Sequence, residues 1–297
     1  MLTGIHIVII GGDARQLEVI DKLNNLDAQL DLVGFDRLDQ YFHGVNKMDL
    51  EDIDPTTVDV IVLPVSGANN EGYVESIFTE KKIQLTKEWL SETPENCVIY
   101  SGIPTAFLLE CERDCKCTLV KLFERDDVAI YNSIPTVEGT IMMVIQNTDI
   151  TIHGSNVIIL GLGRTGMSLA RTFDALGAHV KVGARRPEHM ARITEMGLEP
   201  FHIKDLENKV SDVDVVINTV PAKIITSLVL SQMPSRALVV DVASKPGGTD
   251  FRYAERRGIK AILAPGIPGI VAPKTAGRII ANVLSELLLE RFEKTDN

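Results

Sequence analysis

Short runs of uninterrupted apolar residues alternate with amphipathic stretches along the whole chain. His6–Ile10 (HIVII) reads as a buried strand that closes on Gly11-Gly12-Asp13, where Asp13 can cap a helix running to about Asn24 with Leu17, Ile20 and Leu23 on one face. Residues 30–35, 58–63, 83–85 and 97–100 repeat the strand signal. Most lack polar alternation, which suits a parallel sheet covered on both faces. Pro135-Thr136 then opens a predicted helix through about residue 148, with Ile141, Met142, Val144 and Ile145 clustered on part of its surface.

A second series of the same kind follows. Strands are predicted at 156–160, 178–183, 213–218, 237–242 and 260–263, and helices at about 164–176, 187–196, 222–232 and 250–257. A last helix from about Lys274 to Phe292 comes after the Gly- and Pro-rich stretch 264–273 (APGIPGIVAP). The fold class expected is α/β with two domains joined by linking helices. Residues 1–150 form a parallel-sheet domain for substrate or partner, 151–273 form a doubly wound domain, and the C-terminal helix 274–297 packs back on the first. Two long helices flanking the second sheet would suit a cleft between the domains.

Composition narrows the function. Of 297 residues 45% are hydrophobic but only 5% aromatic, so the core is aliphatic rather than a set of base-stacking platforms. Thirty Lys and Arg against forty-one Asp and Glu give a net charge of −11, the wrong sign for holding a polyanion, and nucleic acid is not expected as a partner. The sequence shows neither a secretory signal nor an apolar run near the roughly 20 residues needed to span a bilayer, so a cytoplasmic protein without membrane attachment is expected. Cys97, Cys111, Cys115 and Cys117 have no nearby His and no metal-finger spacing; free thiols are expected, and no metal.

The strongest motif is Gly161-Leu162-Gly163-Arg164-Thr165-Gly166, between an apolar strand and an amphipathic helix. In a Rossmann unit the first glycine allows the tight turn, the second lets backbone approach a pyrophosphate, and the third permits close helix packing. The competing reading, glycines used for packing alone, is weakened by the complete strand-turn-helix-strand context. An NAD enzyme would end its second strand in a carboxylate for the ribose 2′-hydroxyl. Here the chain reads Gly183-Ala184-Arg185-Arg186-Pro187, and two arginines would instead neutralise a 2′-phosphate, which favours NADP. The alternative is that both arginines are solvated ahead of a helix begun by Pro187.

Thr219, Val220 and Pro221 end a later strand where the nicotinamide half would lie. Ala243 and Lys245 follow the next strand in a Gly-rich loop, with Lys245 a candidate for an anionic substrate or for fixing that loop. In the first domain Ser66, Gly67, Asn69 and Asn70 follow a strand and offer hydroxyl, amide and backbone donors for a carboxylate; a plain turn is the alternative. Gly11-Gly12-Asp13-Ala14-Arg15 lacks the third glycine, against a second dinucleotide site there. The six histidines fit no metal pattern, and no Gly-x-Ser-x-Gly elbow occurs.

Five segments together, IVIIGGDARQLE, VIVLPVSGANNEGYV, GLGRTGMSLAR, NTVPA and APGIPGIVAPKTAG, make the chain similar to the A subunits of dipicolinate synthase from spore-forming bacteria over nearly its whole length. The resemblance implies a sporulation enzyme of the mother cell that works with a flavoprotein-like B subunit. It implies oxidation of dihydrodipicolinate, or its hydrated form, to pyridine-2,6-dicarboxylate with NADP as acceptor. Such chemistry needs two rings positioned and two carboxylates of a small dicarboxylate substrate neutralised. Lys245, Lys274 and Arg15 are candidate clamps, and Gly266, Pro268 and Gly269 candidate floor residues. Glu138, placed at the start of the bridging helix, is a candidate proton acceptor or a favourable helix N-terminal charge. A homo-oligomer is expected. Competing readings are an NADP dehydrogenase of another small carboxylate, shikimate-like or amino-acid-derived, and a non-catalytic nucleotide-binding scaffold for the partner.

Overall fold

The computed structural model describes residues 1–115 and 117–293. Its contacts divide into two compact units, Met1–Ala129 with the segment from Pro273 onward, and Ile130–Ala272.

The first unit runs β1 (His6–Ile10), α1 (Arg15–Asn24), β2 (Gln29–Val33), β3 (Asn46–Met48), β4 (Val60–Val62), β5 (Tyr73–Val74), β6 (Ile83–Gln84), α2 (Lys87–Ser91), β7 (Val98–Ser101), α3 (Ala106–Asp114) and β8 (Thr118–Lys121), and then enters α4 (Asp126–Asn147). Six strands pair in parallel in the order β3-β2-β1-β4-β7-β8. Strand side chains alternate between faces, and here both faces are covered. Ile7 and Ile9 pack with Val19, Ile20 and Leu23 of α1 in one core, while Val8 and Ile10 join Ile61, Leu85 and Leu108 in another. That is why the strands read as unbroken apolar runs.

The second unit continues α4 through β9 (Asn156–Leu160), α5 (Arg164–Ala175), β10 (His179–Ala184), α6 (Pro187–Glu195), β11 (Glu199–His202), β12 (Val215–Asn218), α7 (Ser227–Gln232), β13 (Leu238–Asp241), α8 (Phe251–Arg256), β14 (Lys260–Leu263) and α9 (Ile267–Val271). Its sheet is again parallel, β11-β10-β9-β12-β13-β14. In each unit the strands stand in the order 3-2-1-4-5-6, the doubly wound arrangement whose ligands bind where the order reverses.

The last helix, α10 (Pro273–Glu293), returns to the first unit and packs on α1. At Gly277 a Cβ would come within 2.5 Å of the Arg15 carbonyl, so only glycine allows this approach. Residues 294–297 of the helix expected over 274–297 lie outside the described residues.

Several expectations need correction. Residues 83–85 do not join the main sheet: β6 pairs antiparallel with β5 in a separate two-stranded ribbon. The bridging helix starts at Asp126 rather than at Pro135, which sits inside it. The proline removes one helical donor, but hydroxyls serve neighbouring carbonyls, Ser133 Oγ donating to Ile130 O (2.6 Å) and Thr136 Oγ1 to Asn132 O (2.7 Å). The change of unit accordingly falls inside α4, at 129/130 rather than at 150/151, because Val137 and Val144 bury into the second core. The longer helix also contains a window of mean hydropathy 1.3, apolar and long enough to cross a membrane by length and composition, contrary to the sequence expectation; 39% of that window is buried. The 222–232 helix begins only at Ser227, where Thr226 Oγ1 caps the Val229 N–H, and the 264–273 stretch contains the short α9. The strands β3, β8 and β11, absent from the sequence reading, are edge strands of mixed polarity (NKM, TLVK, EPFH), for which an apolar-run criterion has no signal.

Candidate functional site

In the second unit the order of strands reverses between β9 and β12, and the glycine-rich turn lies there. Gly161 leaves β9 with φ +96°, and a Cβ on it would stand 2.6 Å from Thr219 Oγ1. Gly166, in the first turn of α5, would place a Cβ 2.1 Å from the Gly161 carbonyl oxygen. Gly163 differs: among the described residues nothing lies within 4 Å of its ideal Cβ position. It is also the N-cap of α5 and, being glycine, offers no side-chain cap to that helix. The open space beside Gly163 and the amides of Arg164, Thr165 and Gly166 fit a pyrophosphate on a helix N-terminus. Leu162 is 5% exposed and packs in the core, so it can contribute only backbone.

Thr219 Oγ1 donates to Leu160 O at 2.8 Å and its N–H goes to the same carbonyl, which ties the end of β12 to the end of β9. Val220 and Pro221 continue from there at the surface. β10 lies beside β9 with Gly183 opposite Leu160, so Arg185 and Arg186 leave the sheet on the same edge as the glycine turn. Ala184, where an NAD enzyme would carry its acid, is buried. Arg185 is exposed, whereas the Arg186 guanidinium donates to His189 Nε2 at 2.6 Å and lies 3.4 Å from Glu188. The two arginines are therefore unequal, with Arg186 already engaged.

The sequence reading missed the group that shapes the next loop. Asn218 and Asp241 occupy paired positions at the ends of β12 and β13, both fully buried. Asp241 Oδ1 accepts from Asn218 Nδ2 (2.9 Å) and the Ala243 N–H (3.2 Å), and Oδ2 accepts from the Gly248 N–H (2.8 Å) and Thr249 Oγ1 (2.7 Å). One carboxylate thus fastens the loop that carries Ala243 and Lys245. The available signal was a polar residue ending each of two adjacent apolar strands. Lys245 stands exposed on that loop. Gly266 caps α9 and Pro268 lies within it; α9 packs on α4 at Gly139, where a Cβ would meet Ile267 at 2.2 Å.

In the first unit the order reverses between β1 and β4, and a groove of about 710 Å3 opens there, lined by Gly12, Asp13, Arg15, Ser66, Tyr73 and Lys82 among others. Ala14 already has helical dihedrals, and Asp13 just before it accepts the Arg15 N–H at 3.0 Å. The same carboxylate takes the Arg15 guanidinium through two nitrogens, NH2 at 2.6 Å and Nε at 2.9 Å. Burial alone would push the Asp13 carboxyl up, but the Arg15 hydrogen bonds and charge together outweigh it and hold it below the usual carboxylate range. Lys81 is bound to both oxygens of Asp49 at 2.7 Å. Gln16, also missed, is 3% exposed beside Gly12, its buried Nε2 having no partner among the described residues.

The groove brings Ser66 together with Arg15, and Gly67 lies buried behind it. It leaves out the two asparagines. Asn69 Oδ1 accepts from the Glu71 and Tyr73 amides, each at 2.9 Å, and closes the turn, while Asn70 is an exposed tip residue. Lys274 does not line the groove: it lies 3.9 Å from Glu18, which Arg278 Nε also approaches at 2.8 Å. Glu138 is exposed about three turns into α4 and is at no helix N-terminus.

A doubly wound second unit with a phosphate-fitting glycine turn, together with a first unit of the same strand order, defines the class of two-domain nicotinamide-nucleotide dehydrogenases. Residues 134–296 match the family described as the alanine dehydrogenase/PNT C-terminal domain, and residues 6–123 match the N-terminal domain of the dipicolinate synthase A subunit. The chain is 59% identical over 290 residues, 98% of either length, to the A subunit of dipicolinate synthase from Bacillus subtilis strain 168. Crystal structures of the same protein from Bacillus halodurans (63% identity, TM-score 0.94, covering 97% of this chain and 99% of that one) and Bacillus subtilis (58%, 0.96, 99% of each) share its fold. The chain belongs to the dipicolinate synthase A-subunit family, and it is an NAD(P)-dependent oxidoreductase by its domains.

Proposed function

We propose that the chain oxidises dihydrodipicolinate, or its hydrated precursor, to pyridine-2,6-dicarboxylate with NADP as acceptor. It acts in the mother-cell cytoplasm of a sporulating bacterium, as a homo-oligomer and together with a flavoprotein-like B subunit. The observation that carries the cofactor choice is the pair Arg185-Arg186 after buried Ala184, on the edge shared with the glycine turn that opens α5.

When bound, NADP supplies a two-electron hydride acceptor. The amides of Arg164, Thr165 and Gly166 would hold its pyrophosphate, and Arg185 its 2′-phosphate. The Asp241-anchored loop and the Thr219-Pro221 turn fix the walls where the nicotinamide half belongs. Ser66 and Lys82 would bind a substrate carboxylate in the groove of the first unit, beside Arg15, whose guanidinium Asp13 already holds. Lys245, exposed on the Asp241-anchored loop of the second unit, is the candidate there for an anionic substrate group. The substrate ring would give up a hydride to the bound nucleotide and a proton to water, the hydrated form also losing a water molecule, and aromaticity lowers the product's energy, so binding and orientation are the main demands on the protein.

A second reading has its own support: Glu138 is exposed in mid-helix and Lys274 is paired with Glu18, which withdraws two of the three residues first considered for catalysis. Under it the chain is a nucleotide-binding scaffold whose partner performs the oxidation. Adding freshly generated dihydrodipicolinate to the chain alone and with its partner, while following NADPH absorbance and quantifying pyridine-2,6-dicarboxylate, separates the two. NADPH matching product supports hydride transfer on this chain. Product without NADPH overturns it.

A further inference from the structure

His189 reaches back over the start of its own helix. Arg186 is the N-cap of α6 and Pro187 its first residue, so His189 stands at the third helical position, from which a side chain can turn back to the cap. Its Nε2 takes a hydrogen bond from the Arg186 guanidinium at 2.6 Å. A guanidinium keeps its proton, so the ring nitrogen in this bond carries none. Arg185, Arg186 and His189 gather three basic side chains where a helix dipole disfavours positive charge. Glu188 offsets part of this, its Oε1 lying 3.4 Å from the Arg186 Nε, but both side chains of that pair are largely exposed and it is worth little. The corner follows the end of β10, where Gly183 stands opposite Leu160 on the edge that carries the glycine turn. Basic groups that repel one another when alone are stabilised by an anion, and a 2′-phosphate supplies one.

We propose, on the reading of the chain as an NADP enzyme, that His189 is a further ligand of the 2′-phosphate and takes up a proton as the nucleotide binds. A phosphate oxygen replaces the imidazole as acceptor for the Arg186 guanidinium. Nε2, released from that bond, binds a proton from solvent and donates it to the phosphate. A neutral ring suits two neighbouring arginines, and an imidazolium suits a dianion set among them. The other charged groups around α6 have partners of their own or lie away from this end. On the helix itself Arg192 donates to Glu195 at 2.7 Å. On β10 and β11, which pack against α6, Lys181 lies 3.8 Å from Asp212 and Glu199 lies 3.4 Å from Lys209. His202 Nδ1 accepts from the Lys204 N–H at 3.2 Å, and His179 begins β10 at its opposite end. NAD carries a hydroxyl in place of the phosphate, a neutral group that draws no proton, so the uptake belongs to NADP alone.

The test is calorimetric titration of the full chain with each nucleotide in buffers of different ionisation enthalpy, which counts the protons taken up on binding. At about pH 7 NADP should bring in roughly half a proton or more, and NAD none. The 2′-phosphate has its own ionisation near about 6 and gives up a proton on binding, an effect of opposite sign. His189→Gln keeps an acceptor for Arg186 but cannot be protonated, and should bind NADP without uptake. In the wild type the preference for NADP over NAD should rise roughly fivefold from about pH 8 to about pH 6, and in His189→Gln it should not. The wild-type proton count needs no variant. NADP preferred but bound without uptake, or uptake unchanged in His189→Gln, overturns the role of His189 and leaves the NADP reading standing. NAD bound as tightly as NADP at every pH overturns that reading and the role of His189 with it.

Discussion

The carbonyl oxygen of Gly161 lies 2.1 Å from the point where a side chain on Gly166 would begin. Two glycines five residues apart thus make one packing unit, and it leaves Gly163 between them facing open space. The three glycines of the motif have different jobs, which can be separated experimentally.

Gly163→Ala should fold normally, with a melting temperature near that of the wild type, because its Cβ meets nothing. Its nucleotide affinity should drop at least tenfold, since the methyl group occupies the space offered to the pyrophosphate. Gly166→Ala should lose both affinity and stability, by about 2 kcal/mol or more, because backbone must move to admit it. Thermal unfolding beside nucleotide titration reads both.

Arg185→Ala should weaken NADP binding by about ten- to a hundredfold, the worth of one charge-assisted phosphate contact, with little change for NAD. Arg186→Ala should cost less, because its guanidinium is already held by His189 and Glu188. Equal losses for both nucleotides in calorimetric titration would refute the phosphate assignment.

Asp241→Asn keeps the shape but replaces one acceptor oxygen with a donor facing donors. A cost of about 3 kcal/mol is expected, with faster amide exchange through the loop carrying Ala243 and Lys245. Thr249→Val removes one of the four donors and should cost only about 1 kcal/mol.

Asp13 is held below the ordinary carboxylate value of 3.8 in the fold. A depressed pKa contributes stability that is full above the unfolded value and is lost as pH falls through the folded one. The Asp13–Arg15 pair should therefore be insensitive to pH from neutrality down to about 5 and weaken only below about 4. Its carboxylate is about one-third exposed, so the effect is small, roughly 0.5–1 kcal/mol. Comparing acid unfolding of wild type and Asp13→Asn should show that increment vanish.

Burial pushes the thiols of Cys97 and Cys111 up to about 12 and that of Cys117 up to about 11. Thiolate is the reactive form, so iodoacetamide at about pH 8 should label Cys115 first, the one of the four not fully buried. Peptide mapping before and after denaturation checks the order.

Local patterning carried much of the fold. Unbroken apolar strands ending in glycine turns, as at His6–Ile10 and Asn156–Leu160, declare a parallel sheet covered on both sides, because such strands have no solvated face to encode. The nucleotide turn was legible for the same reason: close backbone approach leaves a residue-type signature, glycine, at fixed spacing. Where a signal depends on partners distant in sequence, the chain alone was silent or misleading. Pro135 reads as a helix start, yet packing of Val137 and Val144 and the hydroxyls of Ser133 and Thr136 carry the helix past it. Lys274 and Asn69 read as ligands, but Glu18 and the amides of Glu71 and Tyr73 engage them. The converse holds for Gln16, Asn218 and Asp241, ordinary polar letters in the sequence, which burial leaves either without a partner among the described residues or holding a loop in place. Backbone geometry is written locally, residue by residue. The occupation of a side chain's hydrogen bonds and charge depends on neighbours that only the folded chain brings within 3 Å, and so only the tertiary structure could decide it.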